Sequence, residues 1–339
     1  MAIVALAVVA CQQNSDEAAP NQEAATIDMS DFYVYTDSDL EKSSSAAKNN
    51  KCQSMKVLNR QLKENPGLYN KMYNVELHTR SAIAFKGKPT KPGGGNGGGE
   101  TPPPTPYEGT VNIPVYVHVI YSNSNENISS TQINSQISVL NSDFNDSNFN
   151  DIPSEFGNLG ADVDINFTLA NVARHSSSTT SWGTNNAVKN AYPPVTGHLN
   201  FWICNIGGGI LGYAQFPGGS SSTDGIVISP QYFGTTGYVS VPFDLGRTAT
   251  HEVGHWLNLR HIWGDGRCKQ DDFVSDTPSS DGPNYGCPSY PTVNCRSNDM
   301  TMNYMDYTDD ACMNMFSLGQ KDRMRAIFAA GGARVDFAQ

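Results

Sequence analysis

The sequence predicts an α/β (α+β) fold in which a twisted, mostly parallel sheet with two long helices precedes a loop-rich, disulfide-linked C-terminal subdomain. Three observations lead there. From Thr110 onward, apolar strand patterns alternate with an amphipathic helix pattern, as expected of a parallel sheet with helical crossovers. The stretch from His251 to His261, HEVGHWLNLRH, then sets reactive side chains at helical spacing. Beyond it, Cys268, Cys287, Cys295 and Cys312 fall in a Gly/Pro/Asp-rich region with little core of its own, and such regions rely on cross-links.

With 339 residues the chain has room for one large domain and a smaller one. A formal charge of -11 excludes nucleic acid as a partner, because nothing here neutralises a row of phosphates. No apolar run reaches the ~20 residues that span a bilayer.

In chain order, residues 1–11 resemble a signal peptide with a lipobox: the apolar run AIVALAVVA ends at Cys11, although no basic residue precedes it. Lipidation of Cys11 with membrane attachment, an ordinary cleaved signal, and neither of these all stay open. Residues 12–30 are polar and acidic and read as a disordered tether. In the N-terminal segment 31–86, Met55, Leu58 and Leu62, then Leu68, Met72 and Val75, recur at helical spacing. Two short helices are expected there, broken at Asn65-Pro66-Gly67. Residues 87–107 hold Gly and Pro runs that cannot pack, which makes them a linker, a domain boundary and an accessible place for proteolytic processing.

The main domain spans 108–339. Val111 to Tyr121 is an apolar strand; Ile133, Ile137, Leu140 and Phe144 mark an amphipathic helix introduced by Ser129, Ser130 and Thr131. Val163 to Leu169 alternate as a half-buried strand, and Leu199 to Ile206 form another that contains Cys204, read as a buried free thiol. Ile210 to Phe216, ended by Pro217, and Gly225 to Ser229 supply two more strands. Asp244 is the expected cap of the helix carrying His251.

On that helix His251 and His255, at i and i+4, leave one face about a turn apart and can grip one metal ion. Glu252 stands beside them where a general base for a metal-activated water belongs. His261 can be the third ligand only if the helix stops and the chain turns back. Asn258 stands where the metzincin zinc peptidases, which this stretch resembles, place a helix-ending Gly; it is a departure, but Asn is the residue that best replaces Gly at positive φ.

HEVGHWLNLRH, Met305 within NYMDY, the DACMNMF stretch after it and GGGILGYAQFP before the helix together resemble the metzincin zinc peptidases, and among them the pappalysin family with its bacterial members. The resemblance covers about residues 110 to 330. It implies a metzincin-like catalytic domain with Zn2+ on His251, His255 and His261, and with Met305 as the Met-turn packed beneath the rings. It implies that Tyr307 approaches the metal to stabilise an oxyanion, and that a strand like Leu211 to Phe216 receives a protein or peptide substrate as an extended strand. Relatives suggest the pairing Cys268 with Cys295 and Cys287 with Cys312; spacing alone allows three pairings, and a second zinc site is the competing reading. Crowded oxygen ligands also suit Ca2+, as relatives bind it, on Asp272, the Ser275 carbonyl and Thr277.

Cys52, upstream of the linker, has no obvious partner. A thiolate is a good fourth zinc ligand that displaces the catalytic water, so Cys52 is a candidate latency ligand, against the alternative of an inert thiol. After the Met-turn, Asp309 and Asp310 would form an acidic wall selecting Lys or Arg after the scissile bond, although Ala311 stands where some basic-selective relatives have an acid. His78, His118, His175 and His198 lack ligand spacing and read as structural. The leading function is an exported, monomeric zinc metalloendopeptidase made as a zymogen. The alternative is a catalytically silent, zinc-binding surface lipoprotein acting in binding or adhesion.

Overall fold

The computed structural model describes residues 27–34, 52–86, 104, 106–145 and 152–338. The signal and lipobox with Cys11, the tether up to residue 26 and most of the linker lie outside the described residues.

Five strands form the central sheet: β1 (Val111–Tyr121), β2 (Ile165–Ser176), β3 (Leu199–Ile203), β4 (Gly212–Ala214) and β5 (Ile226–Ile228). Their order is β2-β1-β3-β5-β4, parallel throughout except for the antiparallel pair β4–β5. The short β4 therefore has one edge free of the sheet. Each strand lies within or beside its predicted stretch, with shifted ends. β2 starts later than Val163 and runs on to Ser176, because its second half pairs with β1 while its side chains stay partly exposed, and alternation fades there.

Two helices flank the sheet before the C-terminal half: α3 (Ser130–Phe144) and, after the short α4 (Ala187–Ala191), α5 (Arg247–Trp256). Ser129 caps α3 by accepting from Gln132 N at 3.1 Å. Gln132 and Gln136 are buried on α3, and their carboxamides tie down the loop leading into α5. Gln132 Nε2 donates to the carbonyls of Pro230, Phe233 and Tyr238, and Gln136 Nε2 to that of Gly246. One core runs from the inward side chains of β1 and β2 through Trp256 to Met305 and Phe316. The C-terminal half has little regular structure besides α6 (Leu318–Ala326), opened by a Ser317/Gln320 capping box. Its disulfides join Cys268 to Cys295 and Cys287 to Cys312, with Cα atoms 5.5 and 5.7 Å apart. Cys204 is a buried free thiol.

The N-terminal segment folds as α1 (Ser54–Glu64) and α2 (Gly67–Phe85), broken at Pro66. At 19 residues α2 is longer than the short helix expected. Its inward face continues past Met72 through Glu76 and Thr79, polar residues that hide the apolar repeat. Glu76 meets Arg323 of α6 in a buried bidentate ion pair, with Oε1 at 3.0 Å from Nη1 and Oε2 at 2.5 Å from Nη2. Residues 27–34 lie against the main domain. The Tyr33 hydroxyl donates to the carbonyls of Gly264 and Asp271, and Arg260 donates to the carbonyl of Tyr33. Among the described residues, no helix is long and apolar enough to cross a membrane.

Candidate active site

The helix α5 is started from a distance. Gly246 precedes it at φ 79°, a conformation that side chains disfavour, and the Asp310 carboxylate accepts from Leu245 N at 2.9 Å and Arg247 N at 3.2 Å. The expected cap, Asp244, does not take this role: the glycine turn aims the first amides at Asp310 instead. At the other end Asn258 stands at φ 77°, with its N–H on His255 O (3.0 Å) and Leu259 N–H on Gly254 O (2.9 Å). These two bonds are the Schellman closure that turns the chain back toward the helix.

That reversal brings His261 to the other two imidazoles. His255 Nε2 lies 3.2 Å from His251 Nε2 and 3.1 Å from His261 Nε2. Each Nδ1 is taken up elsewhere: by Tyr304 O at 2.7 Å for His251, by Leu259 O at 2.9 Å for His255, and by Asp265 Oδ1 for His261. Three lone pairs therefore converge on one point. Tetrahedral coordination with bonds of about 2.0–2.1 Å needs nitrogens about 3.3 Å apart, so the donor set fits a zinc-sized ion. Burial and the neighbouring imidazoles hold His255 well below the usual imidazole range, as suits a neutral ligand. The Met305 side chain closes the space beneath Gly254, and Tyr307 packs on His251 and His261 with ring centroids 5.7 and 4.9 Å apart.

Glu252 is 1% exposed, and burial pushes its carboxyl up to about 7, with Oε1 making no hydrogen bond. The rim strand β4 can pass close by because Gly212 has no side chain: a Cβ there would lie 3.3 Å from Glu252 Cγ.

The N-terminal segment fills the cleft. Cys52 Sγ and the three imidazoles form one buried cluster with ligand atoms all within 4.8 Å of one another. Gln53 N donates to Gly212 O at 3.0 Å, and Cys52 pairs with Gly212 in a parallel bridge. Ser54 Oγ donates to Glu252 Oε2 at 2.6 Å and accepts from Ala214 N at 2.7 Å. The Tyr307 hydroxyl donates to the Cys52 carbonyl at 3.4 Å. Beside these groups lies a small pocket whose wall includes Leu211, Phe243, Arg247, Tyr307, Asp310 and Met313. Asp310 thus faces the cleft with Arg247 beside it, whereas Asp309 is not in the wall.

Of the oxygen ligands read from the sequence, Asp272 and Thr277 come together. The Thr277 hydroxyl is 2.9 Å from both Asp272 carboxylate oxygens, and Val274 N donates to Oδ1 at 3.0 Å. Burial raises the Asp272 carboxyl well above its ordinary range. Ser275 lies between them in the chain, in the same loop. Sequence reasoning missed Ser54 and Asp265. No local pattern marks the first, whose contact spans 198 residues; the second follows His261 at i+4, which the sequence does contain.

The sequence model of the peptidase M43 family, described as pregnancy-associated plasma protein-A, matches residues 183–329. The extracellular metalloprotease of Pyricularia oryzae is 36% identical over 236 residues, covering 66% of this chain and 76% of that protein. Extracellular metalloprotease 1 of Coccidioides posadasii is 35% identical over 236 residues, covering 65% and 78%. Among solved structures, Tannerella forsythia mature mirolysin in complex with a cleaved peptide is similar at 44% identity and a TM-score of 0.65, covering 68% of this chain and 96% of that one. A mutant of promirolysin from the same organism matches at 39% identity and a TM-score of 0.68, covering 82% and 93%.

A metzincin-type metalloendopeptidase is the class that this fold and cleft define. Within that class, the chain belongs to the pappalysin (M43) family.

Proposed function

We propose that the chain is an exported zinc endopeptidase, made as a zymogen, that cuts internal peptide bonds of proteins. The observation that carries the reading is the Cys52 thiol beside three converging imidazoles, in a segment that also occupies the rim strand and the Glu252 carboxylate. His251, His255 and His261 would hold the ion, which when bound supplies Lewis acidity toward a peptide carbonyl and acidifies water.

The protein's own groups do the rest. A substrate in extended form would take the outward backbone groups of β4, Gly212 O and Ala214 N, that Gln53 and Ser54 now occupy. Glu252, dry and close to neutral in pKa, would accept the proton of the attacking water and pass it to the leaving nitrogen as the C–N bond breaks. The Tyr307 hydroxyl already donates to a carbonyl in the cleft; toward substrate the same donor would stabilise the oxyanion. Latency follows from the same contacts, with Cys52 as the fourth ligand and Ser54 masking the base. The names of the extracellular relatives and of promirolysin support export and a pro-form.

Two finer readings belong here. Asp310 on the cavity wall would favour Lys or Arg after the scissile bond; a peptide-library profile holding only apolar residues there would dispose of it. Asp272, the Ser275 carbonyl and Thr277 would bind calcium and relieve the buried carboxylate. The test of the whole is cleavage of an unfolded protein by chain cut within the linker and freed of its N-terminal piece, against uncut chain. Equal silence of both, with zinc bound, would defeat the reading.

A further inference from the structure

We infer that Asp265 is a positioning residue for the third imidazole and sets the affinity of the metal centre. This rests on the zinc reading above and goes beyond it.

His251 and His255 ride on α5, whose backbone fixes their directions, and their Nδ1 atoms meet main-chain carbonyls. His261 stands after the helix has ended, so nothing regular aims it. Three local features do. Gly264 N donates to His261 O at 2.9 Å, closing a turn. The Trp263 ring lies flat against the imidazole, 4.3 Å between centroids and 5° between planes. Asp265, at φ 58°, points Oδ1 at Nδ1, which leaves Nε2 as the free lone pair.

Asp265 is unlike the partners of the other two rings because it carries a formal charge. Its side chain is 9% exposed, and Oδ2 is buried without a hydrogen bond. A buried carboxylate oxygen left unpaired is destabilising, so fold stability does not account for an acid here. A dication on Nε2 does, because a carboxylate, an imidazole and a metal in line compensate one another and make the imidazole a stronger donor.

The test is zinc affinity of the full chain, measured by competition with chelators of graded strength, with thermal unfolding of the metal-free and zinc-loaded forms. Asp265→Ala should weaken zinc 10- to 100-fold. It should leave the metal-free protein as stable as the parent or more so. Asp265→Asn, which keeps an oxygen acceptor but no charge, should fall between, and it carries the test if the alanine variant does not fold. Unchanged zinc affinity in both variants, or equal loss of stability with and without metal, overturns the assignment. A parent chain that takes up no zinc overturns the metal reading itself, and this inference with it.

Discussion

Gly254 and Met305 exclude each other's alternatives: a Cβ built on Gly254 would come closer to Met305 Sδ than the 3.0 Å that real Cβ atoms respect. The glycine between the two helical histidines is thus the place where the Met-turn enters from below. Gly254→Ala should destabilise the protein by about 1–3 kcal/mol through overpacking. Met305→Ala in the same chain should restore part of it, and denaturant melts of the three proteins would check this. If Gly254→Ala melts like the parent, the fit is looser than described.

Glu252→Ala should abolish cleavage while leaving metal content unchanged. Loss of a general base lowers the rate by about 10²–10⁴-fold. Protein cleavage by linker-cut enzyme freed of its N-terminal piece, read beside metal analysis, separates this from loss of the ion. Undiminished cleavage would remove Glu252 from the mechanism.

Cys52→Ala in the full chain should be active without processing, and Ser54→Ala should show a smaller leak, since it frees the base but keeps the thiol in place. Activity of freshly purified, verified uncut protein is the readout. Continued latency of Cys52→Ala would move the inhibitory role to the strand pairing alone.

Glu76 makes the N-terminal segment acid-sensitive. Burial works to raise its carboxyl, but Arg323 and Arg80 outweigh that and hold it at about 2, against the ordinary 4.5. A lowered folded pKa means a contribution fully present above about pH 4.5 and lost as pH falls from there through 2. Its size is on the order of 3 kcal/mol. Glu76→Gln should therefore destabilise the full chain at pH 6, and by less and less toward pH 2. A stability difference that stays constant across this range would contradict the pairing.

Calcium removal supplies a fifth check. A chelator that leaves zinc bound should lower the melting temperature of the parent but not of Asp272→Asn, whose lost charge weakens the site. No shift in the parent would leave Asp272 and Thr277 as a local turn only.

The convergence of His251, His255 and His261 was legible because its rules are local: i and i+4 on a helix, then a residue that tolerates positive φ. Asn258 adopts that conformation at 77°. The sheet was legible from apolar strands, but their ends were not, because β4 keeps only Gly212–Ala214 of a seven-residue apolar-rich stretch. The start of α5 was misread because its amides are capped by Asp310, a residue far along the chain whose approach no local pattern encodes. Ser54 stayed hidden for the same reason. The length of α2 was obscured by Glu76 and Thr79, buried polar residues satisfied by partners from other segments: Arg323 for the first, Asn258 for the second.

The grip of the N-terminal segment does not depend on the linker. Tyr33 on the Gly264–Asp271 loop, Glu76 on Arg323, Lys86 on Asp322 and Gln53 on the rim strand would all survive a cut between residues 87 and 103. Severing the chain therefore turns one molecule into a complex of two, and silence becomes a matter of concentration. Freshly cut enzyme should remain quiet in a concentrated stock and wake on dilution, after a delay set by how fast the freed piece departs. A second cut within that piece would make the awakening permanent.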